Sequence, residues 1–364
     1  MDDAEYTAKR AVDLVKDGGC ACVLLNTVKQ AQAVVRQLKE IDCGGEHYLF
    51  HARFPAYRRC ELEEQVVGLF GKEAVKKGKR PQRAVLVATQ VVEQSLDLDF
   101  DVMISQLAPI DLLLQRCGRL WRHKEIGTPR YGLEEALHVL MPEMQNPKFG
   151  RSGYVYGEAA LLRTIAVIEG CEQFSLPVDF RPLIDACYGD ECVINSIISE
   201  REQTIADEER QRKKEIDAGK AVDILIPAPS SRVFSLAEID HTKDESDEST
   251  TSYFSASTRL GRATCSVLMI EDPRLIEVVH CKKAPRRDVL KELFMHKVDI
   301  PAYWLKDTIA TNGFEQFFEG EKWLRQTTII PTISGRWQGI RDGKGFEIVC
   351  DPVMGVEMNE DLSE

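Results

Sequence analysis

No run of about 18 consecutive apolar residues occurs in the 364-residue chain, so no membrane-spanning helix is expected. The first residues, Met1-Asp2-Asp3-Ala4-Glu5, are acidic and lead into no apolar stretch of the kind a secretory signal needs, so a cytoplasmic location is expected. The 11 cysteines form an odd, scattered set. Cys20 and Cys22 are the closest pair, and without a second pair nearby they make a poor zinc signature, so buried thiols in a reducing compartment are expected. The 7 histidines show no cluster with aspartates, which excludes the ligand set of a metal-dependent nuclease and leaves no metal site. Two further motifs are missing. There is no G-x-x-x-x-G-K-[ST] loop to cradle phosphates and no D-E-x-H box to hold Mg²⁺, and Gly71-Lys72 has no glycine loop upstream. A self-contained nucleoside triphosphatase is thereby excluded.

What is present describes an ordinary globular protein. Apolar residues make up 43% and charged residues 29%, and the length allows two domains or slightly more. The formal net charge of -12 argues against a broadly basic nucleic-acid binder, although a local basic stripe suffices for a DNA track.

Short apolar runs alternate with helical periods over the first 140 or so residues. Cys20–Leu25, His47–Phe50, Ala84–Ala88, Val102–Ser105 and Leu137–Met141 predict strands. Thr27–Glu40, with Val28, Ala31, Val34, Val35 and Leu38 on one face, predicts a helix, as do Arg58–Val75 and Asp111–Arg122. This alternation is that of a parallel sheet covered by helices, whose ligands lie beyond the carboxyl ends of the strands. Helices are expected over Tyr154–Glu169 and, heavily charged, over Val193–Lys220. The acidic, serine-rich run from His241 to Ser257 reads as a mobile loop. Ser266–Ile270, Leu275–Val279 and Gly345–Val349 predict short strands, with a helix near Arg286–Met295, giving a small α+β domain at the end.

Two segments carry chemistry. In Asp111–His123, D-L-L-L-Q-R-C-G-R-L-W-R-H, helical spacing lets Gln115, Arg119 and Arg122 converge on one face. Planar guanidiniums suit a triphosphate, and a pair suits the charge that spreads over a transferring γ-phosphoryl group. The same pattern also fits a helix end carrying solvated arginines. Upstream, Ala84–Asp101 reads A-V-L-V-A-T-Q-V-V-E-Q-S-L-D-L-D-F-D. Its strand delivers Thr89 and Gln90 to the carboxyl edge, and Glu93, Asp97, Asp99 and Asp101 follow. A threonine hydroxyl and backbone amides suit a DNA phosphate, and carboxylates can hold a ribose hydroxyl or simply cap a turn.

The pair A-T-Q-V-V-E-Q-S-L-D-L-D-F-D and Q-R-C-G-R-L-W-R-H resembles motifs V and VI of superfamily 2 helicases. D-L-L-L-Q-R leading into G-R-L-W-R-H resembles in particular the CRISPR-associated helicase-nuclease of type I interference. V-L-L-N-T-V-K-Q-A-Q (Val23–Gln32) resembles motif IV, H-A-R-F-P (His51–Pro55) matches the family's H-x-R-F segment, and S-T-R-L-G-R-A-T-C-S-V (Ser257–Val267) resembles the entry to its C-terminal domain.

The resemblance implies an α/β fold: a second RecA-like domain over 1–145, a helical linker with an acidic loop over 146–256, and a C-terminal accessory domain over 257–364. It also implies roles. Arg119 and Arg122 would be arginine fingers, with Gln115 placing the γ-phosphate or attacking water and Arg116 structural. Asp99, Asp97 and Glu93 would face the nucleotide, and Asn26, Thr27, His51, Arg53, Thr89 and Gln90 the DNA. The expected ligand is ATP with Mg²⁺, shared with a Walker-bearing lobe that, like the nuclease domain, belongs to another part of the same polypeptide or to a separate chain. The expected partners are single-stranded DNA and an RNA-guided surveillance complex, with no membrane involved. The alternative is a non-catalytic module that docks on that complex or regulates its helicase.

Overall fold

The computed structural model describes residues 3–41, 44–93, 96–124, 127–143, 148–169, 173–189, scattered positions between 204 and 219, 264–280, 286–306, 308–310, 315–317, 327–341 and 343–360. The chain divides into two compact units, 1–52 with 59–210, and 53–58 with 211–364.

The first unit contains the expected parallel sheet. Its strands are β1 (Gly19–Leu24), β2 (Glu46–Phe50), β3 (Arg83–Ala88), β4 (Val102–Gln106) and β5 (Leu137–Leu140), in the order β2-β3-β1-β4-β5. Every neighbouring pair is parallel. β1, in the middle, is buried at all six positions, which is why it reads as a continuous apolar run rather than an alternation. Around the sheet lie α1 (Ala4–Leu14), α2 (Val28–Glu40), α3 (Ala56–Phe70), α4 (Lys72–Lys76) and α5 (Ile110–Cys117). α2 starts where Thr27 accepts the Gln30 amide as N-cap, and it buries Ala31, Val34, Val35 and Leu38.

Three expected helices differ in extent. The helix expected over Arg58–Val75 is broken at Gly71, where a Cβ would lie 2.5 Å from the Val67 carbonyl oxygen. The helix expected over Tyr154–Glu169 is two helices, α6 (Gly150–Tyr156) and α7 (Glu158–Glu169), turned at Gly157 with φ +86°. The helix expected to reach Arg122 stops at Cys117, because the backbone beyond Gly118 pairs with the segment leading into β4. α7 and α8 (Phe180–Tyr188) cover the apolar face of α5, with Ile110 and Leu114 against Val167 and Leu183. The described positions between 204 and 219 are helical; the rest of the expected Val193–Lys220 helix and the His241–Ser257 loop lie outside the described residues.

In the second unit, one sheet has the order β7-β6-β10-β9 and another β13-β12-β11-β8. The strands are β6 (Thr264–Ile270), β7 (Lys297–Pro301), β8 (Ile309–Ala310), β9 (Glu315–Phe317), β10 (Thr327–Pro331), β11 (Arg336–Arg341), β12 (Lys344–Asp351) and β13 (Gly355–Asn359). β6 alternates: Val267 and Met269 join Trp337, Phe346 and Ile348 between the sheets, while Leu268 and Ile270 join Leu275 and Leu293 under the helices. These helices are α9 (Pro273–His280) and α10 (Arg287–Met295). The strand expected over Leu275–Val279 is therefore a helix. Pro273 suits a first helical turn, and Asp272 accepts the amides of Arg274 through its side chain (2.9 Å) and of Leu275 and Ile276 through its carbonyl (both 3.1 Å). Capping outweighs the β-branched content of the run.

Burial of β1 has a chemical consequence. It pushes the Cys20 thiol up to about 12 and raises that of Cys22 further, whereas Cys60 is exposed. Alkylation followed by peptide mapping is expected to label Cys60 in the native chain and spare Cys20 and Cys22 until denaturant is added. Native labelling of the β1 thiols at the Cys60 rate contradicts the central placement of that strand.

Candidate functional site

The carboxyl edge of the sheet gathers the loops after β1, β3 and β4 through a hydrogen-bonded network. The Asn26 amide donates to the Gln106 side-chain oxygen (2.7 Å), and the Asn26 Nδ2 donates to the Leu107 carbonyl (2.8 Å) and to Ser152 Oγ (2.9 Å). Gln90 Nε2 donates to the Asn26 carbonyl (3.2 Å) and to the Tyr156 hydroxyl (2.8 Å). That hydroxyl in turn donates to Asn26 Oδ1 at 3.3 Å. Burial, offset in part by the nearby Arg116 charge, raises the pKa of Tyr156.

Arg116 is the cation of this network. Its side chain is fully buried and ion-paired with Glu93 at 2.6 Å, and it donates to Ser105 Oγ (2.5 Å) and the Gln106 carbonyl (3.0 Å). The structural role expected of Arg116 matches this placement. Glu93, expected at the nucleotide, has its carboxylate occupied by Arg116.

Arg119 and Arg122 lie on the turn after α5, not on the helix. Phe100 donates its amide to the Arg119 carbonyl (2.9 Å) and accepts from the Trp121 amide (3.1 Å), so the turn is zipped onto the segment entering β4. Asp99 Oδ1 accepts the Arg122 amide at 2.8 Å. Trp121 sits between the two arginines at φ 45°, a left-handed conformation costing roughly 1–3 kcal/mol for such a residue. Gln115 and Arg122 are exposed and Arg119 is half-buried, donating to the Glu93 carbonyl at 2.9 Å. Burial, and next the neighbouring Arg122 charge, lower the pKa of Arg119.

Asp97 and Asp99 behave differently. Asp97 is half exposed and holds Arg122 (2.7 Å) and His123 (3.0 Å). Asp99 is 1% exposed, and its carboxylate accepts from Arg130 at 3.0 Å as well as from the Arg122 amide.

The remaining expected residues spread out. Thr27 caps α2 and donates to Gln30 Oε1 (2.7 Å). His51 and Thr89 are buried. Arg53 belongs to the second unit, where its guanidinium lies 4.9 Å from the Trp304 ring centre and its carbonyl accepts the Val356 amide at 2.7 Å. Four residues of the network were not anticipated: Tyr156, Ser152, Arg130 and Gln106. Gln106 ends β4, one residue beyond the expected strand Val102–Ser105. The others come from segments without a motif. Among the described residues, no group of His, Cys, Asp and Glu could hold a metal, and no helix is long and apolar enough to cross a membrane.

A five-stranded parallel sheet covered by helices is a RecA-like fold. Residues 17–125 match the family described as CRISPR-associated nuclease/helicase Cas3, C-terminal. The chain is 36% identical over 186 residues to the CRISPR-associated nuclease/helicase Cas3 of Streptococcus thermophilus, covering 50% of this chain and 19% of that one. With the Thermus thermophilus CRISPR-associated endonuclease/helicase Cas3 it shares 42% over 153 residues, covering 41% of this chain and 16% of that one. The T. fusca Cas3 crystal structure with ATP superposes with a TM-score of 0.74 at 30% identity, over 97% of this chain and 40% of that one. The chain is thus similar to the C-terminal helicase region of Cas3 proteins, and it spans well under half the length of these relatives.

The buried Arg116–Glu93 pair is expected to be structural. Arg116→Ala leaves a buried carboxylate without its cation and is expected to cost about 3–5 kcal/mol in urea unfolding. Adding Glu93→Leu is expected to restore much of that loss. A loss as small as that of an exposed pair contradicts the burial of this network.

Proposed function

We propose that this chain is the finger-bearing half of an ATP-driven motor that translocates along single-stranded DNA and unwinds it. The observation that carries this reading is the contrast within one short motif. Arg116 is buried and neutralised by Glu93, whereas Gln115 in the last turn of α5 and Arg119 and Arg122 on the turn after it retain exposed surface. The repulsion between Arg119 and Arg122 is relieved by an anion bound between them. The pair of Arg122 with Asp97 is half exposed on both sides, and such pairs are worth little, so a phosphate group can draw Arg122 away.

ATP supplies the γ-phosphoryl group whose transfer to water drives the motor. This chain contributes the donors: Arg119 and Arg122 bind the developing charge and Gln115 orients the phosphate or the attacking water. Asp97, the exposed carboxylate, is assigned to the ribose, while Asp99 and Glu93 position the arginines from behind. Mg²⁺ and the phosphate-cradling loop are assigned to the missing Walker-bearing lobe. Of the loop residues, Thr27 and Gln90 are partly exposed and are assigned to the DNA backbone. Asn26, His51 and Thr89, being buried, are assigned to shaping those loops. Arg53 is assigned a DNA phosphate separately, as part of the second unit.

Solved relatives support both the nucleotide and the partner. T. fusca Cas3 structures are described with ATP, ADP and AMPPNP, and a CRISPR RNA-guided surveillance complex in a pre-nicking state contains a chain superposing with a TM-score of 0.69 at 30% identity. We assign the same surveillance complex class as this chain's partner, in the cytoplasm. A pure docking module has no need of two outward guanidiniums beside a glutamine.

Arg119→Ala is expected to lower DNA-stimulated ATP turnover by roughly 10³ to 10⁵ in the chain assembled with a Walker-bearing lobe. DNA binding should be nearly unchanged. Equal turnover in variant and wild type removes the finger assignment.

A further inference from the structure

We propose that Arg130, in the loop before β5, is the positioning residue that holds the arginine-finger turn in register. This rests on the finger reading of Arg119 and Arg122 given above. Arg130 lies outside both chemistry-bearing motifs, yet its guanidinium touches every part of the turn's support. Its NH1 donates to Asp101 Oδ1 at 2.6 Å, and its NH2 donates to Asp99 Oδ2 at 3.0 Å and Oδ1 at 3.2 Å. The guanidinium carbon also lies 5.2 Å from the Trp121 ring centre.

Each of those contacts reaches the finger turn directly or by one further bond. Asp99 Oδ1 accepts the Arg122 amide (2.8 Å), so the carboxylate that Arg130 fixes also fixes the backbone of the second finger. Trp121 is the residue between the fingers, and its indole N–H donates to the Asp101 carbonyl at 2.9 Å. Because Trp121 has φ 45°, the turn reverses there only while something holds it. Arg130 covers the indole and anchors the two aspartates on either side of Phe100, which is itself the backbone partner of Arg119 and Trp121. The Asp101 carboxylate has separate partners, the Cys20 amide (2.6 Å) and Arg80 (3.0 Å), that tie it to the sheet. Arg80 also donates to the Asp99 carbonyl at 2.8 Å, which holds the backbone there, whereas Arg130 joins the two carboxylates to each other and to the Trp121 ring.

A lysine at this position keeps the charge but cannot reach both carboxylates and cover the indole together, since it lacks the planar fork. In Arg130→Lys, amide hydrogen exchange on the chain alone is expected to speed up on the order of tenfold at residues 119–122, with β1 and β4 as protected as in the wild type. In the chain assembled with a Walker-bearing lobe, kcat is expected to fall on the order of 10²-fold, with the KM for ATP little changed. Arg119→Ala is run beside it. Wild-type exchange at 119–122 overturns the proposal. So does exchange raised equally across β1 and β4, which makes Arg130 a general staple of the sheet. Full turnover in Arg130→Lys where Arg119→Ala is inactive also overturns it. If Arg119→Ala turns over normally as well, it is the finger reading that fails, and the exchange result still decides whether Arg130 holds the turn.

Discussion

The pairing of residues 99–101 with 119–122 is the interaction on which the candidate site depends. It joins two stretches that the sequence separates, and it does so mainly through backbone: Phe100 with Arg119 and Trp121, and Asp99 with the Arg122 amide. Backbone pairing tolerates little drift, because one shifted residue would invert which side chains point outward. Two arginines are thereby presented to solvent by a segment whose other side is buried.

Burying the support has an electrostatic condition. Asp99 and Asp101 are almost fully enclosed, and ionised carboxylates leave water at a cost of several kcal/mol each unless matched. Arg80 and Arg130 supply the match on one side of the turn, and Arg116 with Glu93 does so under the network of Asn26, Gln90 and Tyr156. Each buried charge has a hydrogen-bonded partner of opposite sign. Arg119 and Arg122 differ: their strongest mutual effect is repulsion, and Arg122 has only a half-exposed carboxylate to answer it. The charges behind the turn are thus buried and paired, whereas the pair in front, Arg122 with Asp97, is half exposed to water.

Much of this was legible in the residues. The five strands follow from apolar runs, the three inner ones needing no alternation because they are buried on both faces, and the order of motifs pointed to the glutamine and arginines at the sheet's carboxyl edge. The losses have specific causes. Helical spacing extended α5 to Arg122 because propensity carries no knowledge of Phe100, whose carbonyl and amide capture the backbone beyond Gly118. Leu275–Val279 read as a strand because β-branched residues outweighed the cap at Asp272 and the proline after it. Glu93 and Asp99 were legible as carboxylates near the site, while their partners, Arg116 and Arg130, are contacts that only the fold creates. Tyr156 and Ser152 carry no motif; one turn of α6 apart, they reach Asn26 from one helix face.

On the proposed function, this chain brings one wall of an ATP site and a Walker-bearing lobe brings the other. The most direct measurement is ATP hydrolysis with single-stranded DNA for this chain alone, for a matching Walker-bearing lobe alone, and for the two together. The account predicts turnover only in the mixture. Turnover by the Walker-bearing lobe alone at the full rate of the mixture, or none in the mixture with both parts folded and associated, would contradict it.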